Sequence, residues 1–141
     1  MESSDAQAVS ALLPVLGYEA THAQVAARLA ALREWSDQEA FVACGNNTVI
    51  GLCHIHGVRL VASNGYAEIQ ALVVAPAWQR RGVGSMLVKR AVSWSFQRGY
   101  ERIRLRSGVH RDVAHRFYLE LGFSQSRASH AFELTQGEVA G

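Results

Sequence analysis

The chain has 141 residues, 49% of them hydrophobic, enough for one domain with a sizeable core and too few for two comfortable ones. Its formal net charge is only +2, with both signs interspersed, so a nucleic-acid partner gathered by bulk electrostatics is not expected, and no apolar run reaches membrane-spanning length. Cys44 and Cys53 each lie in an apolar, strand-like run and read as buried thiols in a reducing compartment. Metal-ligand spacing is absent, and no metal is expected. The start, Met1-Glu2-Ser3-Ser4-Asp5, is polar and acidic rather than signal-like, which points to a cytoplasmic protein.

Ser4 with Gln7, and Thr21 with Gln24, have capping-box spacing. Helices are therefore expected from about Asp5 to Leu16, closed by Gly17, and from about His22 to Arg33, where Val25, Leu29 and Leu32 recur at core-facing intervals. Ala40–Cys44 and Thr48–His56 read as strands joined through Gly45-Asn46-Asn47. Tyr66–Val74 reads as a third after the turn signal Asn64-Gly65, making an antiparallel meander. A helix from Val83 to Arg98 turns Val83, Leu87, Ala91 and Trp94 inward and stops at Gly99. A strand over Arg102–Ser107 follows, with Arg102, Arg104 and Arg106 on one solvated face. A last helix over Asp112–Leu121 carries Ala114, Phe117, Tyr118 and Leu121 on one stripe and ends at Gly122. Strands at Phe123–Gln125 and His130–Leu134 are expected to complete the sheet, and Gln136–Gly141 reads as a loose tail.

Chemistry concentrates in Gln79-Arg80-Arg81-Gly82-Val83-Gly84-Ser85, between the apolar run Ala71-Leu72-Val73-Val74 and the Val83 helix. A strand that turns through glycines into a helix aims unpaired backbone N–H groups and the positive end of the helix dipole at one place, where a pyrophosphate fits. Glycine at 82 and 84 lets that backbone approach a ligand, and Arg80 and Arg81 add fixed charge. The run has neither the Lys-Ser/Thr pair of a Walker loop nor a third glycine, so nucleoside triphosphates and dinucleotides lose ground.

The stretch Val74-Ala75-Pro76-Ala77-Trp78-Gln79-Arg80-Arg81-Gly82-Val83-Gly84 resembles the strand, turn and Q/R-x-x-G-x-G/A loop that grips coenzyme A in the GNAT superfamily of N-acetyltransferases. Downstream, Ala114-His115-Arg116-Phe117-Tyr118-Leu119-Glu120-Leu121-Gly122-Phe123 resembles the family's A-x-x-F/L-Y-x-x-x-G-F helix and following strand. The resemblance covers nearly the whole chain. It implies a single α/β domain over 1–141 with a mixed, largely antiparallel sheet flanked by helices. The family's first strand is short or missing here, which leaves an edge open to a partner strand, as in a homodimer.

The resemblance also implies direct acetyl transfer from acetyl-CoA to a primary amine, with the pantetheine arm along the backbone of Leu72, Val73 and Val74 and the pyrophosphate at Gln79–Ser85. Arg111 stands where relatives often have an asparagine against pantetheine. An alkyl ammonium, with a pKa near ~10.4, must lose a proton before it attacks. Glu68, on the strand feeding the loop, is the candidate base, with the alternative that it is a surface glutamate. His54 and His56 alternate onto one face of the preceding strand as candidate substrate-binding residues. Tyr118 is the candidate acid for the departing thiolate, or a packing residue on its stripe. A small-molecule amine is the expected acceptor. A protein amino terminus or lysine, and a non-catalytic acyl-CoA binding module, are the alternatives.

Overall fold

The fold comes from a computed structural model, in which residues 1–106, 112–126 and 129–138 are described. The chain divides into two compact units, Met1–Arg106 and Ser107–Gly141.

In the first unit the expected opening helix is divided into three pieces: a 3₁₀ turn over Ser3–Asp5, helix α1 over Ala6–Leu12, and a second 3₁₀ turn over Leu13–Leu16. Pro14 explains the second division, because it has no N–H for the helical ladder and crowds the preceding turn. The chain then closes through Gly17, in the left-handed region at φ +86°. The expected Ser4–Gln7 capping box does not form, since Ser4 already lies inside the first turn. Glu2 N–H donates instead to Asp5 Oδ2 at 2.7 Å. Helix α2, His22–Arg33, starts as expected: Thr21 N–H donates to Gln24 Oε1 at 2.9 Å, and Gln24 N–H donates to Thr21 Oγ1 at 3.1 Å.

Strands β1 (Gln38–Gly45), β2 (Thr48–Val58) and β3 (Tyr66–Val74) form the antiparallel meander, and β4 (Ile103–Leu105) joins β3 in parallel, in the order β1-β2-β3-β4. Asn46 and Asn47 turn β1 into β2 with φ of +52° and +62°, a geometry that their short polar side chains tolerate. Between β3 and β4 runs helix α3, Val83–Gln97, which buries Val83, Leu87, Val88, Ala91, Trp94 and Ser95. A Cβ on Gly51 of β2 would meet Leu87 Cδ1 at 3.0 Å and Val83 Cγ1 at 3.3 Å, which places α3 directly against that sheet face. On the other face Leu52 and Val73 pack with Ala6, Val9, Leu12 and Val25. Helices thus flank both faces of the sheet.

Two irregularities interrupt the ladder. Ala43 pairs with Gly51 but Cys44 with Val49, and His54 pairs with Ala71 but Ile55 with Ile69, so Gln70 is an extra residue bulging from β3. Cys44, beside the first shift, is exposed, contrary to the expectation of two buried thiols. Cys53 is fully buried, and burial pushes its thiol up to about 12.

In the second unit α4 covers Asp112–Glu120. Ala114, Phe117, Tyr118 and Leu121 are each half-buried, and Phe123 N–H closes the helix end on the Tyr118 carbonyl at 3.1 Å. The strands expected at Phe123–Gln125 and His130–Leu134 are not formed, and the sheet has four strands among the described residues. Phe132 is 95% exposed and Leu134 68%, so their alternation has no apolar surface to cover. The expected strand over Arg102–Ser107 is shorter, at Ile103–Leu105, and Ser107 lies outside the described residues.

Candidate active site

Beyond β3 the chain makes a 3₁₀ turn over Pro76–Trp78 and enters the loop that leads into α3. The indole of Trp78 lies over Gly45, where an added Cβ would come within 2.7 Å of the ring, so the loop is pinned to the β1–β2 turn. The side-chain amide of Gln79 donates back to the Val74 carbonyl at 3.1 Å. Arg80 and Gly82 both take left-handed backbone, at φ +64° and +84°. Gly82 is the N-cap of α3, and its carbonyl accepts the first helical bond, from Met86 N–H at 3.0 Å. The amides of Val83, Gly84 and Ser85 precede that bond and point out of the helix end, where its dipole is positive. Around the position of a Gly82 Cβ no atom lies within 4 Å, and Gly82 is exposed. The arrangement is an open cradle of donors for an anion, and Arg81 flanks it with its guanidinium 5.2 Å from the Trp78 ring centre.

The strand before the cradle offers a backbone slot. β4 pairs with Ala67, Glu68 and Ile69 alone, so among the described residues the β3 edge from Gln70 to Val74 has no strand partner on that side. Leu72, Val73 and Val74 lie there, with the Val73 side chain buried at 3% exposure. A coenzyme A arm with its pyrophosphate fits this combination of a free strand edge and a helix N-terminus.

A polar cluster occupies the same strand further back. Glu68 faces His56 directly across the β2–β3 ladder, and alternation puts Leu52, His54 and His56 on one face of β2. Glu68 Oε2 lies 3.8 Å from His56 Nε2, and Glu68 Oε1 lies 3.9 Å from Arg106 Nε. The side-chain amide of Gln70 reaches both acceptors, at 2.7 Å from His56 Nε2 and 3.1 Å from Glu68 Oε2. The ring of Trp35 tilts against His56 with centroids 5.0 Å apart, and His54 follows at 6.1 Å. Thus Glu68, His54 and His56, singled out from sequence, are brought together.

Sequence reasoning missed Gln70, Trp35 and Arg106. Gln70 stands two residues from Glu68, a visible signal, and in the structure it sits at the bulge and reaches both Glu68 and His56. A second cluster anchors the strand end: the buried Tyr100 hydroxyl donates to Asp37, and Gly57 N–H donates to the Asp37 carbonyl at 2.9 Å. A Cβ at Gly57 would collide with both the Tyr100 hydroxyl and the Asp37 carboxylate.

Burial, and secondly the neighbouring His56, push His54 down from 6.5 to about 4. Its Nε2 is buried without a hydrogen-bond partner among the described residues. The sign follows from linkage: between these two values the unfolded chain binds a proton at His54 that the folded chain refuses, so stability must fall as pH drops through the window. Melting temperature should fall from pH 6.5 to 5, above the range where carboxylates titrate, and His54→Gln should flatten that part of the curve. Parallel curves for the two proteins would show that His54 is not the responsible group.

Tyr118 lies on α4 of the second unit, half-buried, with edge-on contacts to Phe117 at 5.3 Å and Phe123 at 6.0 Å between centroids. Arg111 lies outside the described residues. A cavity of about 300 Å³ at the β1 edge, lined by residues including Trp35, Gln38, Glu39 and Arg98, contains none of the loop residues. Among the described residues no helix is long and apolar enough to cross a membrane, and no three potential ligands gather as a metal site.

Sheet, cradle and polar cluster make an α/β arrangement with an open anion site beside paired acceptors, and comparison with known proteins places the chain in a family. The model of the Acetyltransferase (GNAT) family matches residues 11–123, and the chain belongs to that family. An aminoalkylphosphonate N-acetyltransferase of Salmonella typhimurium is 37% identical over 86 residues, which cover 60% of this chain and 56% of that protein. The chain therefore matches little more than half the length of this relative. Among solved structures, a transcriptional regulator from Bacillus halodurans superposes with a TM-score of 0.85 at 23% identity, covering 95% of this chain and 96% of the other. An aminoglycoside N-acetyltransferase in complex with CoA superposes with a TM-score of 0.83 at 15% identity, covering 95% and 91%. At these identities the structural matches establish a shared fold.

Proposed function

We propose that this chain is an acetyl-CoA-dependent N-acetyltransferase that acetylates a primary amine of a small molecule. The observation that carries the reading is the pairing of Glu68, on the strand β3 that leads toward the Gly82 cradle, with His56 directly across from it on β2. When bound, acetyl-CoA supplies the acetyl group already activated as a thioester. The amides of Val83, Gly84 and Ser85, with Gln79, Arg80 and Arg81 around them, would hold its pyrophosphate, and the backbone of Leu72, Val73 and Val74 its arm. Glu68 Oε2 takes a proton from the incoming ammonium, directly or through water, and the imidazoles of His54 and His56 line the place where that amine sits. Tyr118 is assigned as proton donor on its motif, and Arg111 as a pantetheine contact on its position alone.

A small-molecule acceptor is supported by the similarity to an enzyme named for aminoalkylphosphonates, whose amine stands on a small anionic molecule. A working unit of residues 1–141 as one domain is supported by a family match that starts in the first compact unit and continues into the second. The free thiols of Cys44 and Cys53 support a cytoplasmic setting. The reading is tested by a screen of small amines, aminoalkylphosphonates and aminoglycosides included, against peptide amines, following free thiol release from acetyl-CoA. Turnover confined to peptides would move the acceptor to proteins. Cofactor binding without any turnover would leave an acyl-CoA binding module.

Tyr118→Phe separates the two roles of that residue. The change removes only the hydroxyl and keeps the aromatic area that packs against Phe117 and Phe123. A positioned proton donor is worth a factor of about 10² to 10⁴. A thiol ionises near pH ~8.5, and its thiolate leaves tolerably unaided, so the expected loss in kcat is at the lower end of that range or below it. Any fall in acetyl-CoA affinity or melting temperature should be smaller than the fall in kcat. Turnover equal to wild type at saturating acetyl-CoA would return Tyr118 to packing.

A further inference from the structure

Gln70 belongs to neither family motif, yet its side-chain amide reaches both His56 Nε2 and Glu68 Oε2. We propose that Gln70 is a positioning residue: from the bulge in β3, its side-chain amide holds the acceptor atoms of Glu68 and His56 on one point and keeps His56 in the form protonated at Nδ1.

The hydrogens can be placed one by one. His56 Nδ1 lies 3.1 Å from the Gly57 carbonyl, which only accepts, so Nδ1 carries the hydrogen and Nε2 is left with a lone pair. Gln70 Nε2 has two hydrogens, and two acceptors stand within reach: His56 Nε2 at 2.7 Å and Glu68 Oε2 at 3.1 Å. Each hydrogen has one partner and each acceptor one donor. Were the amide turned over, its oxygen would face the Glu68 carboxylate and the His56 lone pair together, three acceptors with no hydrogen between them. On its other oxygen Glu68 faces the exposed Arg106 guanidinium, 3.9 Å away, a weak attraction that leaves Gln70 as the amide donor to the carboxylate.

The backbone explains why residue 70 does this. Without the bulge, strict alternation would turn residue 70 to the same face as residue 68 but one full repeat along the strand. The shift between His54–Ala71 and Ile55–Ile69 leaves Gln70 unpaired in the ladder, and its exposed side chain folds back over the Glu68–His56 pair. The Gly57 carbonyl is itself steadied, because Gly57 N–H is tied to Asp37 and Asp37 to Tyr100. His56 is thereby gripped at both ring nitrogens and by Trp35 on its face.

The kinetic consequence rests on the reading of Glu68 as the base, and the spectroscopic one does not. Histidine-¹⁵N NMR of the whole protein, with His56 signals assigned by their absence in His56→Asn, should show wild-type His56 with a hydrogen on Nδ1 and a bare Nε2. Gln70→Glu puts an acceptor against Nε2 and should draw a hydrogen onto it. Gln70→Leu removes the donor and should move the Nε2 signal away from its hydrogen-bonded position. Because Gln70 is exposed, both variants should keep the wild-type melting temperature and KM for acetyl-CoA. In both, kcat should fall about tenfold or more, the range for one hydrogen bond to a charged group. Unchanged His56 signals in both variants, or a wild-type Nε2–H, would overturn the proposal. So would full kcat in Gln70→Leu on an accepted amine. If the wild-type protein acetylates no amine, the proposed function falls, and the imidazole spectra still decide the role of Gln70.

Discussion

Glu68→Gln is expected to lower kcat/KM for the amine by about 10² to 10⁴ at neutral pH, the range for loss of a positioned base. The amide is nearly isosteric, and its oxygen can still accept from Gln70, so the cluster should keep its shape while losing its proton acceptor. An alkyl amine with a pKa near ~10.4 is only about 10⁻³ unprotonated at pH 7.4. With Glu68 removed, that fraction alone can react, and the rate should climb about tenfold per pH unit toward the amine's own pKa. Initial rates of thiol release from pH 6.5 to 9.5, wild type against variant, make the comparison. A variant with the wild-type rate and pH profile would dismiss Glu68 and shift the base to His56 or His54. Of these, His56 is the better placed, because the His54 Nε2 is sealed from solvent.

Blocking the cradle at Gly82 is expected to abolish the stabilisation that acetyl-CoA confers. A ligand at about 100 times its Kd raises the stability of the folded state by roughly 2.7 kcal/mol, visible as a rise in melting temperature. Gly82→Val tests this poorly by itself, because valine at φ +84° is strained with or without ligand. Gly82→Asn is the cleaner variant. Asparagine tolerates left-handed backbone, and no atom lies within 4 Å of the new Cβ, so the ligand-free fold should melt close to wild type. The added side chain nevertheless projects beside the amides of Val83 to Ser85, where the phosphates are to sit. Gly84→Val, one residue inside α3, should act in the same direction without the left-handed strain. Melting curves with and without acetyl-CoA check both. Shifts as large as wild type in the two variants would remove the pyrophosphate from this loop.

Much of the fold was legible in local chemistry. Alternation marked β3 at Tyr66–Val74, the Thr21–Gln24 box marked the start of α2, and the four-four-three spacing from Val83 to Trp94 marked the buried face of α3. These signals are short-range, set by backbone hydrogen bonds and side-chain direction within a few residues. The cradle belongs with them, because a strand, two glycines and a helix start are contiguous in the chain. The helix expected over Asp5–Leu16 runs through Pro14, whose missing N–H divides it in the structure.

Other features required the tertiary structure. The residues at 123–125 and 130–134 alternate like strands, but a strand forms only where a partner edge and an apolar surface receive it, and Phe132 and Leu134 find neither. Cys44 and Cys53 look alike in sequence, yet Cys44 near the end of β1 is exposed while Cys53, in the middle of β2 between two paired strands, is buried. The composition of the polar cluster was decided in the same way. Glu68 and His56 are twelve residues apart in the chain and become neighbours through the β2–β3 pairing, and Gln70, Trp35 and Arg106 join them from a bulge, from the segment after α2 and from beyond β4. Pairing register is a long-range quantity, selected by which faces the whole sheet must bury, and no window of local sequence contains it.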